Sequence, residues 1–214
     1  MKHLSPAIYQ RLRYGAFLLC ACLLMSTSLL AARPPVAAVA SAHPLATRAG
    51  MDILASGGNA FDAAVAVSAA LAVVEPYSSG LGGGGFWLQH RARDGHEVMV
   101  DGRERAPLAA TRDMYLDADG DVVPGLSVDG ALAAGIPGVP AALVHISRHY
   151  GRLPLQQNLA PAIQLAREGF EVDGVYRRMA QFRLAPLQDD MAAADIFLQD
   201  DEVPDAGHRI VQAD

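Results

Sequence analysis

The fifteen residues from Ala60 to Val74 contain one charged side chain, Asp62, and one hydroxyl, Ser68, in an otherwise apolar run. A helix of that composition has no polar face, so it has to be buried between other layers. It is too short to span a membrane. Its ends are written beside it. Gly57-Gly58 closes the preceding helical pattern, Asn59 stands as N-cap with Asp62 three residues on, and Glu75-Pro76 terminates the run.

The flanking text supplies the partners that such a helix needs. Leu45, Ala49, Ile53 and Leu54 fall at helical spacing between His43 and Ser56. Beyond the Gly80 to Gly85 loop, Gly85–Gln89 and Glu97–Asp101 are expected as strands joined through Arg93-Asp94-Gly95. Asp119-Gly120 marks a turn, and Gly135-Ile136-Pro137-Gly138 a loop. Pro140–His149 is expected as a helix closed by Gly151, and Pro161–Glu168 as another, with its proline in the first turn and Gly169 past its end. After Asp173 the chain turns looser and more acidic, with Met179, Phe182 and Leu184 suggesting one packing helix. Helices before and after short strands predict a mixed α+β layered fold.

The N-terminus is of another kind. Lys2, Arg11 and Arg13 precede an apolar stretch from Gly15 to Leu30, followed by small residues including Ala32 and Ala40. This order predicts an export signal over residues 1–32, with cleavage as late as about residue 40, against the alternative of a retained anchor. Residues 41–214 then form one domain. Both cysteines, Cys20 and Cys22, fall inside the signal, so disulfides, thiolate catalysis and cysteine-bound zinc are not expected of the mature chain. Lys2 is the single lysine, which removes Schiff-base and P-loop chemistry. With Lys2, Arg11, Arg13 and Arg33 gone, 13 basic residues face 23 acidic ones, and a nucleic-acid partner is not expected.

Several local patterns have ordinary explanations. Gly80 to Gly85 satisfies G-x-G-x-x-G, but a helix precedes it and a strand follows, the reverse of a dinucleotide site. Its glycines serve either a close structural packing or a ligand. Asp117, Asp119 and Asp121 alternate as in a calcium loop, yet Gly120 comes fourth and Val128 stands twelfth, so a solvated turn is expected. His145 and His149 have ligand spacing on a helix, but two histidines leave a ligand set unfinished, and no metal site is assigned. Ser78-Ser79 has no recognisable base partner. Arg103, at a strand end between Asp101-Gly102 and Glu104-Arg105, has two readings. Its planar fork either grips a substrate carboxylate or pairs internally with Asp101 or Glu104.

From about His43 to Asp214 the chain resembles the gamma-glutamyltranspeptidase, or glutathione hydrolase, family. The resemblance rests on Gly57-Gly58-Asn59-Ala60-Phe61-Asp62-Ala63-Ala64-Val65-Ala66, on Glu75-Pro76 with Ser79 to Phe86, and on Asp101-Gly102-Arg103-Glu104 with Ala106-Pro107. Ile136-Pro137-Gly138, Tyr150 to Pro154, Pro161-Ala162-Ile163, Leu165-Ala166 and Gly169-Phe170 continue it in the same order.

The resemblance implies an N-terminal-nucleophile hydrolase with an αββα sandwich, of which only the N-terminal portion is present. It implies a precursor that cuts itself into large and small subunits, with the small subunit's leading threonine as nucleophile and its amine as base. Glutathione or other gamma-glutamyl compounds would be donors, and water, amino acids or peptides acceptors, without cofactor or metal. Arg103 matches the arginine that holds the substrate's α-carboxylate. No catalytic residue is expected within the segment, which ends as a family segment broken off partway. Such an enzyme would reside in the periplasm or be secreted, with no membrane attachment after signal cleavage. Two alternatives stand beside it: a truncated, non-catalytic relative that binds a ligand or partner, and a same-fold amidase for another acyl group.

Overall fold

The computed structural model describes residues 37–213. The expected export signal, with Cys20, Cys22 and Ala32, lies outside the described residues. Among those described, no helix is long and apolar enough to cross a membrane.

Helix α1 (Pro44–Ala55) opens with His43, whose Nδ1 accepts the Leu45 amide at 3.1 Å, and with Pro44 where no amide is required. It ends as expected. Gly57 takes φ +91°, and the Gly58 amide returns to the Ile53 carbonyl at 3.0 Å. Helix α2 (Ala60–Val74) starts two residues later. Asn59 Oδ1 accepts from Phe61 and Asp62 amides, while Asp62 Oδ2 accepts the Asn59 amide at 2.9 Å, a complete capping box. No residue from Phe61 to Val74 is exposed. The apolar helix is therefore the central one, packed against α1 and against two later helices, α3 (Val139–Tyr150) and α4 (Leu155–Glu168).

Strands β1 (Gly85–Arg91) and β2 (His96–Gly102) form one antiparallel hairpin, registered from Gly85 opposite Gly102 to Arg91 opposite His96. Alternation sorts its faces. Gln89, Val100 and Gly102 turn inward and Phe86, Leu88 and Met99 outward. Trp87 donates its indole N–H to Ser68 Oγ at 3.1 Å, pinning the inner face to α2.

The proline expectation for α4 needs correction. The helix starts at Leu155, directly after Pro154, so Pro161 sits inside it rather than in its first turn. The polar stretch Gln156-Gln157-Asn158 disguises the first turn, although Asn158 is fully buried.

The acidic C-terminal stretch is also more ordered than its composition suggests. Short strand β3 (Phe170–Glu171) precedes helix α5 (Gly174–Phe182), capped by Asp173 through the Val175 and Tyr176 amides. Helices α6 (Leu184–Gln188) and α7 (Met191–Phe197) follow, the latter capped by Asp190. Strand β4 (Arg209–Ile210) pairs back onto β3, and Gln212 reaches the Ala166 and Val73 carbonyls at 2.8 and 3.1 Å. Phe182 is not a packing residue. Tyr176 and Ala180, four apart, take the inward stripe, and Phe182 points out at 78% exposure.

Candidate functional site

Three glycine-bearing segments meet beside the end of β2. The Gly138 and Val139 amides both donate to the Gly83 carbonyl, at 3.1 and 3.2 Å. Arg105 and Ile136 exchange both backbone hydrogen bonds, at 3.2 and 2.7 Å. Close approach makes the junction. A side chain on Gly138 would collide with the Gly102 carbonyl, and one on Gly84 with the Glu104 carboxylate and backbone amide. None of the glycines from Gly80 to Gly85 adopts a positive φ. Close packing requires glycine at Gly84, whereas Gly80 and Gly82 have room beside them and face the adjoining cavity.

Arg103 stands on this junction. Its backbone amide donates to Asp101 Oδ1 at 2.9 Å, so Asp101 is engaged with the main chain and not with the guanidinium. Its single ion pair among the described residues is a long one, Nε to Glu104 Oε2 at 3.8 Å, and the side chain is 71% exposed. Such a pair between solvent-facing groups contributes little. Of the two readings of Arg103, the internal pair with Asp101 is absent and the one with Glu104 is weak.

Below the junction lies a cavity of about 420 Å³, lined by Ser78, Ser79, Gly82, Gly83, Gly84, Trp87 and Glu104 among others. Arg103 borders it in sequence through Glu104 rather than lining it. Tyr77 on its wall has its hydroxyl pKa raised by burial first and then by the Glu75 and Asp173 carboxylates, which keeps it a neutral phenol. A larger cleft of about 890 Å³ shares Pro76 and Tyr77 but is formed by α5, α6 and α7 with residues 128–130, away from Arg103 and Glu104.

At the other end of α3 a second polar centre ties the helices together, built on a residue whose sequence position predicts only a helix-dipole partner. Asp62 is fully buried, and its carboxylate accepts from the Asn59, Arg152 and Leu153 amides and from Asn158 Nδ2, at 2.8 to 3.3 Å. Asn59 Nδ2 adds a bond to the Tyr150 carbonyl at 2.7 Å. The Gly57–Asp62 and Tyr150–Pro154 motifs are thus one joint between α2 and the α3–α4 connection. Its signal lay in the co-occurrence of the two motifs, not in either alone.

The remaining candidates separate from this site. Asp117 Oδ1 accepts the Asp119 and Asp121 amides, both at 2.9 Å, so the aspartate alternation builds a turn around Gly120. His145 and His149 lie on α3, with rings stacked at 4.1 Å. Among the described residues, no group of three or more histidines, cysteines or carboxylates gathers as a metal site.

Residues 46–214 match the gamma-glutamyltranspeptidase family model. The glutathione hydrolase proenzyme of Pseudomonas sp. strain A14 is 42% identical over 193 residues, covering 86% of this chain and 33% of that protein. The Escherichia coli K12 glutathione hydrolase proenzyme is 42% identical over 176 residues, covering 82% and 30%. The chain spans about a third of the length of these curated relatives. In structure it is similar to Helicobacter pylori gamma-glutamyltranspeptidase, with a TM-score of 0.81, 40% identity and coverage of 84% of this chain and 52% of that one. The Bacillus anthracis transpeptidase CapD is similar at a TM-score of 0.67 and 31% identity. With its glycine junction, its buried central helix and these likenesses over most of its length, the chain belongs to the gamma-glutamyltranspeptidase family.

Proposed function

We propose that this chain forms the substrate-carboxylate end of an exported gamma-glutamyl hydrolase and transferase, with Arg103 as the residue that grips the α-carboxylate of the gamma-glutamyl group. The observation that carries the reading is the Arg103 guanidinium. It is held by its backbone at the meeting of three loops, yet its charge is left in solvent with one weak partner. A planar cation so presented suits bidentate pairing with a carboxylate.

In this reaction a threonine Oγ, supplied from outside these 214 residues, attacks the gamma-glutamyl carbonyl. Its proton passes through the nucleophile's own amine to the departing amine, leaving a gamma-glutamyl ester. Water then releases glutamate, or an acceptor amine takes the acyl group. Glutathione is the donor that the relatives' names suggest. The basic and then apolar N-terminus supports delivery to the periplasm or outside the cell.

The test is full-length enzyme carrying Arg103→Ala, assayed with a gamma-glutamyl anilide and with its analogue lacking the α-carboxylate. Loss of a charged contact should weaken apparent affinity for the first by about 2–5 kcal/mol, while turnover of the analogue stays level. Equal losses on both substrates would refute carboxylate recognition by Arg103. If wild type cleaves neither anilide but does cleave another acyl amide, the gamma-glutamyl reading gives way to a same-fold amidase.

A further inference from the structure

We infer that His145 and His149 form a two-imidazole chelate for a borderline divalent metal ion, with Zn2+ as the probe, on the outer face of α3. This inference is independent of the gamma-glutamyl reading.

Both side chains are exposed and one turn apart, and their rings stack at 4.1 Å with planes 26° from parallel. The ring of His149 is fixed by a hydrogen bond that spacing could not reveal. Its Nδ1 lies 2.9 Å from the His145 carbonyl oxygen, and a carbonyl only accepts, so Nδ1 carries the proton and Nε2 keeps its lone pair. A ring N–H donated to a backbone carbonyl is how metal-binding histidines are commonly oriented.

The rings rest against Tyr150, 6.0 Å from His145 and 6.4 Å from His149. Tyr150 is itself anchored by Asn59 through its carbonyl. Two nitrogens on one tetrahedral Zn2+ at about 2.0–2.1 Å stand about 3.4 Å apart, so the stacked rings, 4.1 Å between centroids, have to turn to bring one nitrogen of each onto a shared ion. The pair also sits at the C-terminal end of α3, the end of a helix dipole that favours positive charge. Imidazole selects Zn2+, Cu2+ and Ni2+ over Mg2+ and Ca2+, and water fills the remaining positions. A bound ion ties residues 145 and 149 together at the joint between α3 and α4, and it stabilises the folded chain through mass action.

The experiment is Zn2+ titration of the untagged full-length protein, followed by calorimetry and by thermal melting, with Mg2+ as control. One Zn2+ per chain and a concentration-dependent rise in Tm are expected. His145→Gln or His149→Gln should each lower affinity at least about tenfold, the lower end of what even an outer partner of a ligand is worth. His90→Gln, an exposed histidine paired with Glu97, should change nothing. On wild type alone, Zn2+ should shield His145 and His149 but not His90 from diethyl pyrocarbonate, read by peptide mass spectrometry. Unchanged binding in both α3 variants, no Zn2+ uptake by wild type, or equal labelling of all three histidines with and without Zn2+ would each overturn the chelate.

Discussion

At the scale of single residues, Asp62 and Arg103 are carboxylate and guanidinium put to opposite uses. Asp62 is withdrawn from water and holds four donors, whereas Arg103 keeps its charge outside. Burial alone would raise the pKa of Asp62, but the Asn59, Arg152 and Leu153 amides and the Asn158 side chain outweigh it, and the pKa falls below its ordinary value of 3.8. A lowered folded pKa means that the unfolded chain takes up the proton first. The Asp62 contribution is therefore full above the unfolded value and lost as pH falls through the folded one. Asp62→Ala should cost on the order of 3–4 kcal/mol in urea unfolding at pH 7, because it strands several buried donors. The cost should shrink as pH is lowered through the acid range below 3.8. A pH-independent cost would show that the carboxylate's charge is immaterial. Sequence places Asp62 in the first turn beside the Asn59 cap, a local relation that spacing reveals. Its bonds to Arg152, Leu153 and Asn158 cross some ninety residues, a distance that no spacing rule encodes.

At the scale of elements, what was legible followed from periodicity and punctuation. The all-apolar pattern gave α2 and its burial, and glycines gave the ends of α1, α3 and α4. What failed was polarity taken as a sign of loop. The first turn of α4 hid behind Gln156-Gln157-Asn158, and the aspartates after Asp173 proved to be caps at Asp173 and Asp190 and a tight turn at Asp200-Asp201, with φ +52° and +61°. Pro161, seventh in α4, offers no amide to the Gln157 carbonyl and crowds it. Pro161→Ala should raise thermal stability, with up to about 3 kcal/mol as the ceiling set by propensity. A lowered Tm would mean that the proline ring's packing outweighs the restored hydrogen bond.

At the scale of the whole molecule, the hairpin β1–β2 has one buried and one bare face. Phe86, Leu88 and Met99 are 56, 76 and 54% exposed on the same side, and neither strand has a second neighbour among the described residues. A contiguous apolar sheet face with open edges is a site of association. The chain covers only about half of the Helicobacter pylori chain that it resembles, and an αββα fold places a second sheet against such a face. Leu88→Lys should then act with opposite sign in two settings. In residues 37–213 expressed alone it should raise solubility and reduce association in sizing chromatography, because it adds charge to an exposed patch. In a longer chain that supplies such a second sheet it should lower yield and Tm, since a covered lysine has to be desolvated without a partner. Improvement in both settings would mean that the face stays in water in the longer chain as well. Loss in both would mean that Leu88 already serves the fold of this part alone.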